Sequence, residues 1–279
     1  MKREKRTVYL MRKITLIICA AVVLCSGFCV IREWSETGRQ RREQERLAEL
    51  AARIPETEEE TGIQEIQVET ELEENTEQET EPPYLSPIDF EALSKENPDV
   101  VGWITIPDTR IDYPIVYTDD NETYLDVDFS GNESVYGAIY LDCDSEPDFR
   151  GWNHPVYGHH MRDGSMFKDL VKFKDEEFFR NHQFFEIYTP ERTIHLKALS
   201  CYYTGSGGIV RKTRFSGQEE FDQWLKERLE PCRYAEIPER SVPSVFTLVT
   251  CSYEMEDART VLFAVEVDED GNMIAANEK

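Results

Sequence analysis

Residues 245–267 read VFTLVTCSYEMEDARTVLFAVEV. Both flanks, VFTLVTC (245–251) and TVLFAVEV (260–267), are dominated by β-branched and aromatic residues, the composition of buried strands. A seven-residue connection separates Cys251 from Arg259, where the second strand begins, so the pair is expected to close as an antiparallel hairpin. In a hairpin the end of one strand lies beside the start of the next, which sets a guanidinium next to a thiol. A fixed positive charge there favours thiolate and can bind a developing oxyanion.

Working outward, the same composition recurs in VVGWITI (100–106), IDYPIVY (111–117), VYGAIYL (135–141), FFEIYT (184–189) and TIHLKALSCYY (193–203). Seven or eight strands separated by turn residues predict a mainly β protein, a barrel or sandwich with inserted helices. Helical periodicity marks 88–97, 166–181 and 217–230, and in the last of these Phe221, Trp224, Leu225 and Leu229 share one face that should pack on the sheet.

The N-terminal part is organised differently. Residues 14–31, ITLIICAAVVLCSGFCVI, carry no charge and are long enough to cross a bilayer. Ahead of them Lys2, Arg3, Lys5, Arg6, Arg12 and Lys13 face a single acid, Glu4, so residues 1–13 are expected to be a cytoplasmic basic tail and 14–31 an uncleaved transmembrane signal anchor. The run exceeds a usual signal-peptide core and no clear cleavage site follows it. Residues 34–54 read as a charged helix, and 55–83, with twelve Glu and no Lys or Arg, as a disordered acidic tether, together making 32–83 a linker. Residues 84–279 form the extracellular catalytic domain in this reading. The chain's 56 Asp and Glu against 31 Lys and Arg give a net charge of −25, which disfavours nucleic acid as a partner.

Four cysteines follow the apolar segment: Cys143, Cys201, Cys232 and Cys251. They form no CxxC pair, so a zinc ribbon is not indicated, whereas a bridge among Cys143, Cys201 and Cys232 is compatible with their number. A cysteine nucleophile needs an acid/base group, and the chain offers His154, His159, His160, His182 and His195. The cluster Asn153–Met161 holds three of them at a strand end, and spacing alone does not choose among them.

These residues together resemble a family. Thr-Leu-Val-Thr-Cys at 247–251, Tyr-Gly-His-His-Met at 157–161 and Arg259 are similar to the signature elements of the sortases, membrane-anchored cysteine transpeptidases of Gram-positive surfaces. Asn97–Trp103, Tyr113–Val116, Asn121, Tyr124-Leu125, Phe129 and the helix at 217–230 resemble class B in particular. The resemblance covers roughly 84–270 and implies an eight-stranded β-barrel. It implies that Cys251 attacks a carbonyl in the C-terminal sorting signal of a secreted protein, that His159 exchanges protons with the leaving and entering amines, and that Arg259 holds the oxyanion. A peptidoglycan precursor amine would be the acceptor. Asn121, Leu125, Tyr157, Ile209 and Thr250 map onto the peptide groove, and neither a cofactor nor a metal is implied. Val249 stands where many class B members carry Ser, which leaves the sorting pentapeptide open.

Two other classes of function compete. A cell-surface cysteine hydrolase of the papain type would place Cys before His and at a helix N-terminus, whereas here His159 precedes Cys251 and the cysteine ends a strand. A non-catalytic adhesin on a stalk explains the anchor and tether but gives no reason for the His, Cys and Arg set.

Overall fold

The computed structural model describes residues 2–52, 84–205, 210–255 and 257–276, and divides into two compact units, Met1–Leu47 and Ala48–Lys279. The linker expected over 55–83 and the proposed groove residue Ile209 lie outside the described residues. The first unit belongs to one continuous helix, α1 (Lys2–Ala51), so the apolar segment and the charged segment after it are one helix. Its apolar part has an 18-residue window of mean hydropathy 1.9 with none of its surface buried, which is long and apolar enough to cross a membrane.

The second unit is an eight-stranded closed barrel. Its strands are β1 (Val100–Thr105), β2 (Asp112–Val116), β3 (Ile139–Leu141), β4 (Asn153–Tyr157), β5 (Phe184–Tyr188), β6 (Thr193–Gly205), β7 (Val245–Cys251) and β8 (Ala258–Glu266). Around the barrel they run β1-β2-β3-β4-β7-β8-β6-β5, and β5 pairs back onto β1. The β2–β3 and β4–β7 pairs are parallel and the others antiparallel.

Alternation explains why β7 and β8 read as nearly unbroken apolar runs. On β8, Leu262 and Ala264 enter the barrel core with Phe246, Leu248, Ile115 and Phe185. Their neighbours Val261, Phe263 and Val265 join Val245 and Leu199 under the apolar face of α4 (Gln218–Leu229), which supplies Phe221, Trp224, Leu225 and Leu229. Each large apolar side chain buried in this way contributes roughly 1.5–3 kcal/mol. Helix α4 begins with Glu219 and Glu220 and ends with Lys226 and Arg228, charges that complement its dipole.

The periodic stretch expected as helix over 166–181 divides into a 3₁₀ segment, Phe167–Lys174, and a short helix, α3 (Glu176–Asn181). Asp175 breaks it: its backbone is extended and its side chain caps α3 by accepting from the Phe178 N–H. Strand β4 was not among the stretches picked out by composition, because Asn153, His154 and Pro155 are poor strand formers.

Gly158 follows β4 and donates its N–H to the Val249 carbonyl at 3.1 Å. A Cβ there would lie 2.4 Å from Ile139 Cδ1 and 2.7 Å from Phe167 Cγ, so only glycine lets β4 approach this closely. Gly158→Ala should destabilise the domain by about 1–3 kcal/mol, the usual cost of overpacking. A denaturant midpoint equal to wild type would contradict this account of the glycine.

Candidate active site

Register assembles the site. Strand β4 runs parallel to β7 with Val156 level with Leu248, both inside the barrel, and Tyr157 level with Val249. The Gly158 bond to Val249 carries the pairing on, so His159 comes level with Cys251. Level residues of paired strands project to the same face, which here is the outer one. Across the other edge of β7, Cys251 pairs directly with Arg259 of β8, and Arg259 in turn pairs with Thr204 of β6. Opposed Cβ atoms in such pairs lie about 4.5–5.5 Å apart. Cys251 and Arg259 are thus direct cross-strand partners, and His159 follows β4 two residues past its last pair with β7, on the side to which that register points.

Their partners fit that placement. Cys251 is a free thiol of intermediate exposure, and Cys143, Cys201 and Cys232 are free as well. The His159 Nε2 lies 2.8 Å from the Leu125 carbonyl, which can only accept, so Nε2 carries hydrogen and Nδ1 is the nitrogen on which a proton can come and go. The Arg259 guanidinium donates to the Ala258 carbonyl at 3.0 Å, and among the described residues no carboxylate pairs with it. The alternative for this arginine is a surface ion pair with Asp257 or Glu256; among the described residues Asp257 does not pair with it, and Glu256 lies outside them.

Beneath this face lies a carboxylate that no sequence pattern singles out. Asp142, fully buried after β3, accepts from the Tyr157 hydroxyl at 2.8 Å, Arg211 Nε at 2.8 Å and Asn121 Nδ2 at 3.2 Å. Asn121 also accepts from the Cys143 N–H, so both ends of its amide are held inside the protein. Tyr157 packs at a tilt against Tyr140, with ring centroids 5.2 Å apart. Burial first, then the charges of Asp142 and Cys251, push the Tyr140 phenol up to about 12, with Arg211 and Arg259 opposing, so Tyr140 is a neutral group beside the site. No motif marks Asp142; the only sequence cue is an acid directly after an apolar strand, which is common.

The remaining expected groove residues are placed as follows. Leu125 is exposed at 37% and turns its carbonyl to His159, while Thr250 is only 2% exposed and its buried hydroxyl has no hydrogen-bond partner. The Thr250 side chain is therefore not presented on the outer face. Asp142, Cys143 and Asp144 are close enough for a shared cation, but Arg211 already bonds all three. Of the other histidines, His154 packs between Phe149 and Phe246, His182 stacks on Phe178 and His195 pairs with Glu186.

Comparison with known proteins identifies the family and agrees with the fold. A model of the sortase domain matches residues 104–267. The chain belongs to the sortase family. Sortase B of Listeria monocytogenes is 32% identical over 165 residues, which make up 59% of this chain and 67% of that protein. The X-ray structure of Clostridium perfringens sortase B superposes with a TM-score of 0.60 at 31% identity, covering 64% of this chain and 99% of that one. A Staphylococcus aureus sortase B–substrate complex superposes equally well, with a TM-score of 0.60 at 28% identity over 64% of this chain and 85% of the other. This sortase is accordingly of class B, a cysteine transpeptidase on an eight-stranded barrel.

Two predictions follow from the sortase's own contacts. Tyr157→Phe removes a donor from the buried Asp142 carboxylate and should cost about 1.5–3 kcal/mol of unfolding free energy, the usual worth of a hydrogen bond to a charged group. A loss under half a kilocalorie in urea unfolding would show that Asp142 does not depend on it. The second concerns the β7–β8 connection, where Lys174 bonds Glu254 and Ser252. Burial alone would push the Glu254 carboxyl up, but the bonds from Lys174 and Ser252 outweigh it and hold it at about 2. A depressed carboxyl stabilises the fold above its unfolded value near 4.5 and ceases to do so as pH falls through 2. Amide exchange at 252–255 should therefore quicken between pH 4.5 and 2 relative to the barrel, and Glu254→Gln should remove that pH dependence.

Proposed function

We propose that Cys251 is the nucleophile, His159 the acid and base, and Arg259 the oxyanion ligand of a transpeptidase that acts on a C-terminal sorting signal. The observation that carries this reading is the common register that brings the three side chains to one face. The Cys251 thiolate adds to the scissile carbonyl, and the guanidinium stabilises the oxyanion that forms. The C–N bond then breaks, His159 Nδ1 gives its proton to the departing amine, and a thioester remains on Cys251. An entering amine adds to that thioester, His159 takes up its proton, and collapse forms the new amide and expels the Cys251 thiolate. The Leu125 carbonyl supports the imidazolium present before the first proton transfer and again after the second, because Nε2–H donates to it in both protonation states.

Leu125 and Tyr157 are the exposed and half-buried walls of the peptide groove in this reading, with Asn121 holding Asp142 behind them and Thr250 contributing backbone. Ile209 belongs to the same groove by resemblance. The apolar segment of α1 anchors the chain in the cell membrane with its basic N-terminus in the cytoplasm, so that the barrel meets secreted clients outside and a peptidoglycan precursor amine as acceptor.

The test uses the full-length chain in detergent micelles with a library of sorting-signal peptides and an amine acceptor, followed by mass analysis. Cys251→Ala should lose both cleavage and transfer, and substantial residual turnover would remove the assignment. His159→Ala should lose nearly all activity and His160→Ala much less; the reverse ranking would exchange their roles. Arg259→Lys, which replaces a planar fork by one mobile charge, should fold and lose about 10²- to 10³-fold in kcat. Near wild-type turnover in that variant would withdraw Arg259 from the site. Release of peptide without amine product would identify a hydrolase.

A further inference from the structure

The second histidine of the Gly-His-His sequence does not share the outer face with Cys251, yet it bonds the nucleophile's own backbone. His160 Nδ1 lies 2.8 Å from the Cys251 carbonyl, and Nε2 lies 2.5 Å from Lys168 Nζ. A carbonyl only accepts, so Nδ1 carries the hydrogen, and the remaining lone pair on Nε2 accepts from the ammonium. Both nitrogens are thus assigned by their partners. A proton on Nε2 would face three N–H donors and no acceptor, so His160 can become cationic only if Lys168 leaves.

The surroundings brace this arrangement. The His160 ring packs edge-on against Tyr253, two residues past Cys251, with centroids 4.9 Å apart. The backbone at 159–160 is held by the Phe167 N–H on the His159 carbonyl and by a bridge between His160 and Met166. Lys174, from the end of the same 3₁₀ segment, bonds Ser252 and Glu254. The charged and titratable groups around the ring are therefore Lys168 and Lys174 from that segment, and Cys251, Tyr253 and Glu254 from the β7–β8 connection. Burial first, then the two lysines, lower the His160 pKa, against the opposing Cys251 carbonyl and Glu254.

We propose that His160 is a positioning residue for acyl transfer: held by Lys168 as the neutral Nδ1–H tautomer, it pins the Cys251 carbonyl and so fixes where the thiol stands on the outer face. Attack on a carbonyl carbon tolerates little displacement of the nucleophile, and loss of the pin acts on the chemical step while the peptide groove stays intact. The proposal rests on Cys251 being the nucleophile, but the proton assignment can be read without any substrate.

The experiment labels the five histidines of the full-length chain with ¹⁵N in micelles and assigns His160 by its disappearance in His160→Asn. Long-range imidazole spectra should show His160 as the Nδ1–H form, still neutral at pH values where an ordinary histidine is cationic, and Lys168→Met should move its titration upward. An Nε2–H tautomer, or a titration unchanged in Lys168→Met, would overturn the clamp. With the library peptide that acylates Cys251 fastest, His160→Ala should lower kcat about 10-fold with KM within about twofold. His160→Asn, which can offer an N–H to the same carbonyl, should recover most of that loss. A folded His160→Ala with wild-type kcat, or an equal loss in the Asn variant, would refute positioning. Failure of every peptide to acylate Cys251 would count against the nucleophile, and the spectra would still decide the clamp.

Discussion

Strand β4 lies beside β7 with both chains running the same way, and the five pairs from Asn153–Val245 to Tyr157–Val249 set how the segment after β4 meets the end of β7. Buried polar groups lock that register. Asn153 accepts from the Thr247 hydroxyl at 2.7 Å and donates to the Val210 and Lys212 carbonyls at 2.8 and 3.0 Å. A slip of one residue would orphan these groups in the interior, at roughly 1–3 kcal/mol each, and turn His160 outward in place of His159. The choice between two adjacent histidines is thus made at the far end of the strand by an asparagine that touches neither.

Much of this fold was legible in the sequence. The strands at 245–251 and 260–267 announced themselves because both of their faces are buried, one in the barrel and one under α4, which demands β-branched and aromatic residues at nearly every position. Their hairpin pairing then put Cys251 against Arg259. The helix at 217–230 was visible for the complementary reason, a single apolar stripe on an otherwise charged segment. What stayed hidden was whatever depends on a specific polar partner. Strand β4 is held by side-chain hydrogen bonds and by His154 wedged between two phenylalanines, so it has no apolar pattern to read. The four cysteines could have paired by number alone, and only the three-dimensional structure leaves them free.

Asp142 shows the same limit at the site itself. One buried carboxylate gathers a tyrosine two residues before His159, an arginine between β6 and α4, and an asparagine before the 3₁₀ turn that carries Leu125. These residues are distant in the chain: Tyr157 opens the Tyr-Gly-His-His-Met motif and Asn121 is one of the class B resemblances, but no motif marks Arg211 or Asp142 itself. Tyr157 is held with its phenol raised well above the ordinary value, by burial first and the Asp142 charge second, so it remains a donor across the whole working pH range. One interior charge therefore holds Tyr157, Asn121 and Arg211 by their polar ends.

Closure of the barrel has a consequence for how a peptide can be read. With β5 paired back to β1, the ring has no terminal strand for an extended chain to lengthen, although β6 pairs with β5 only over Thr193–Lys197 and is flanked by β8 alone from there to Gly205. An extended chain can join the ring by pairing only where a strand is one-sided, and elsewhere it meets loops and side chains. Among the described residues that stretch of β6 is met by the Tyr234 hydroxyl on the Cys201 carbonyl and the Glu236 N–H on the Leu199 carbonyl, so even there the main chain is partly engaged.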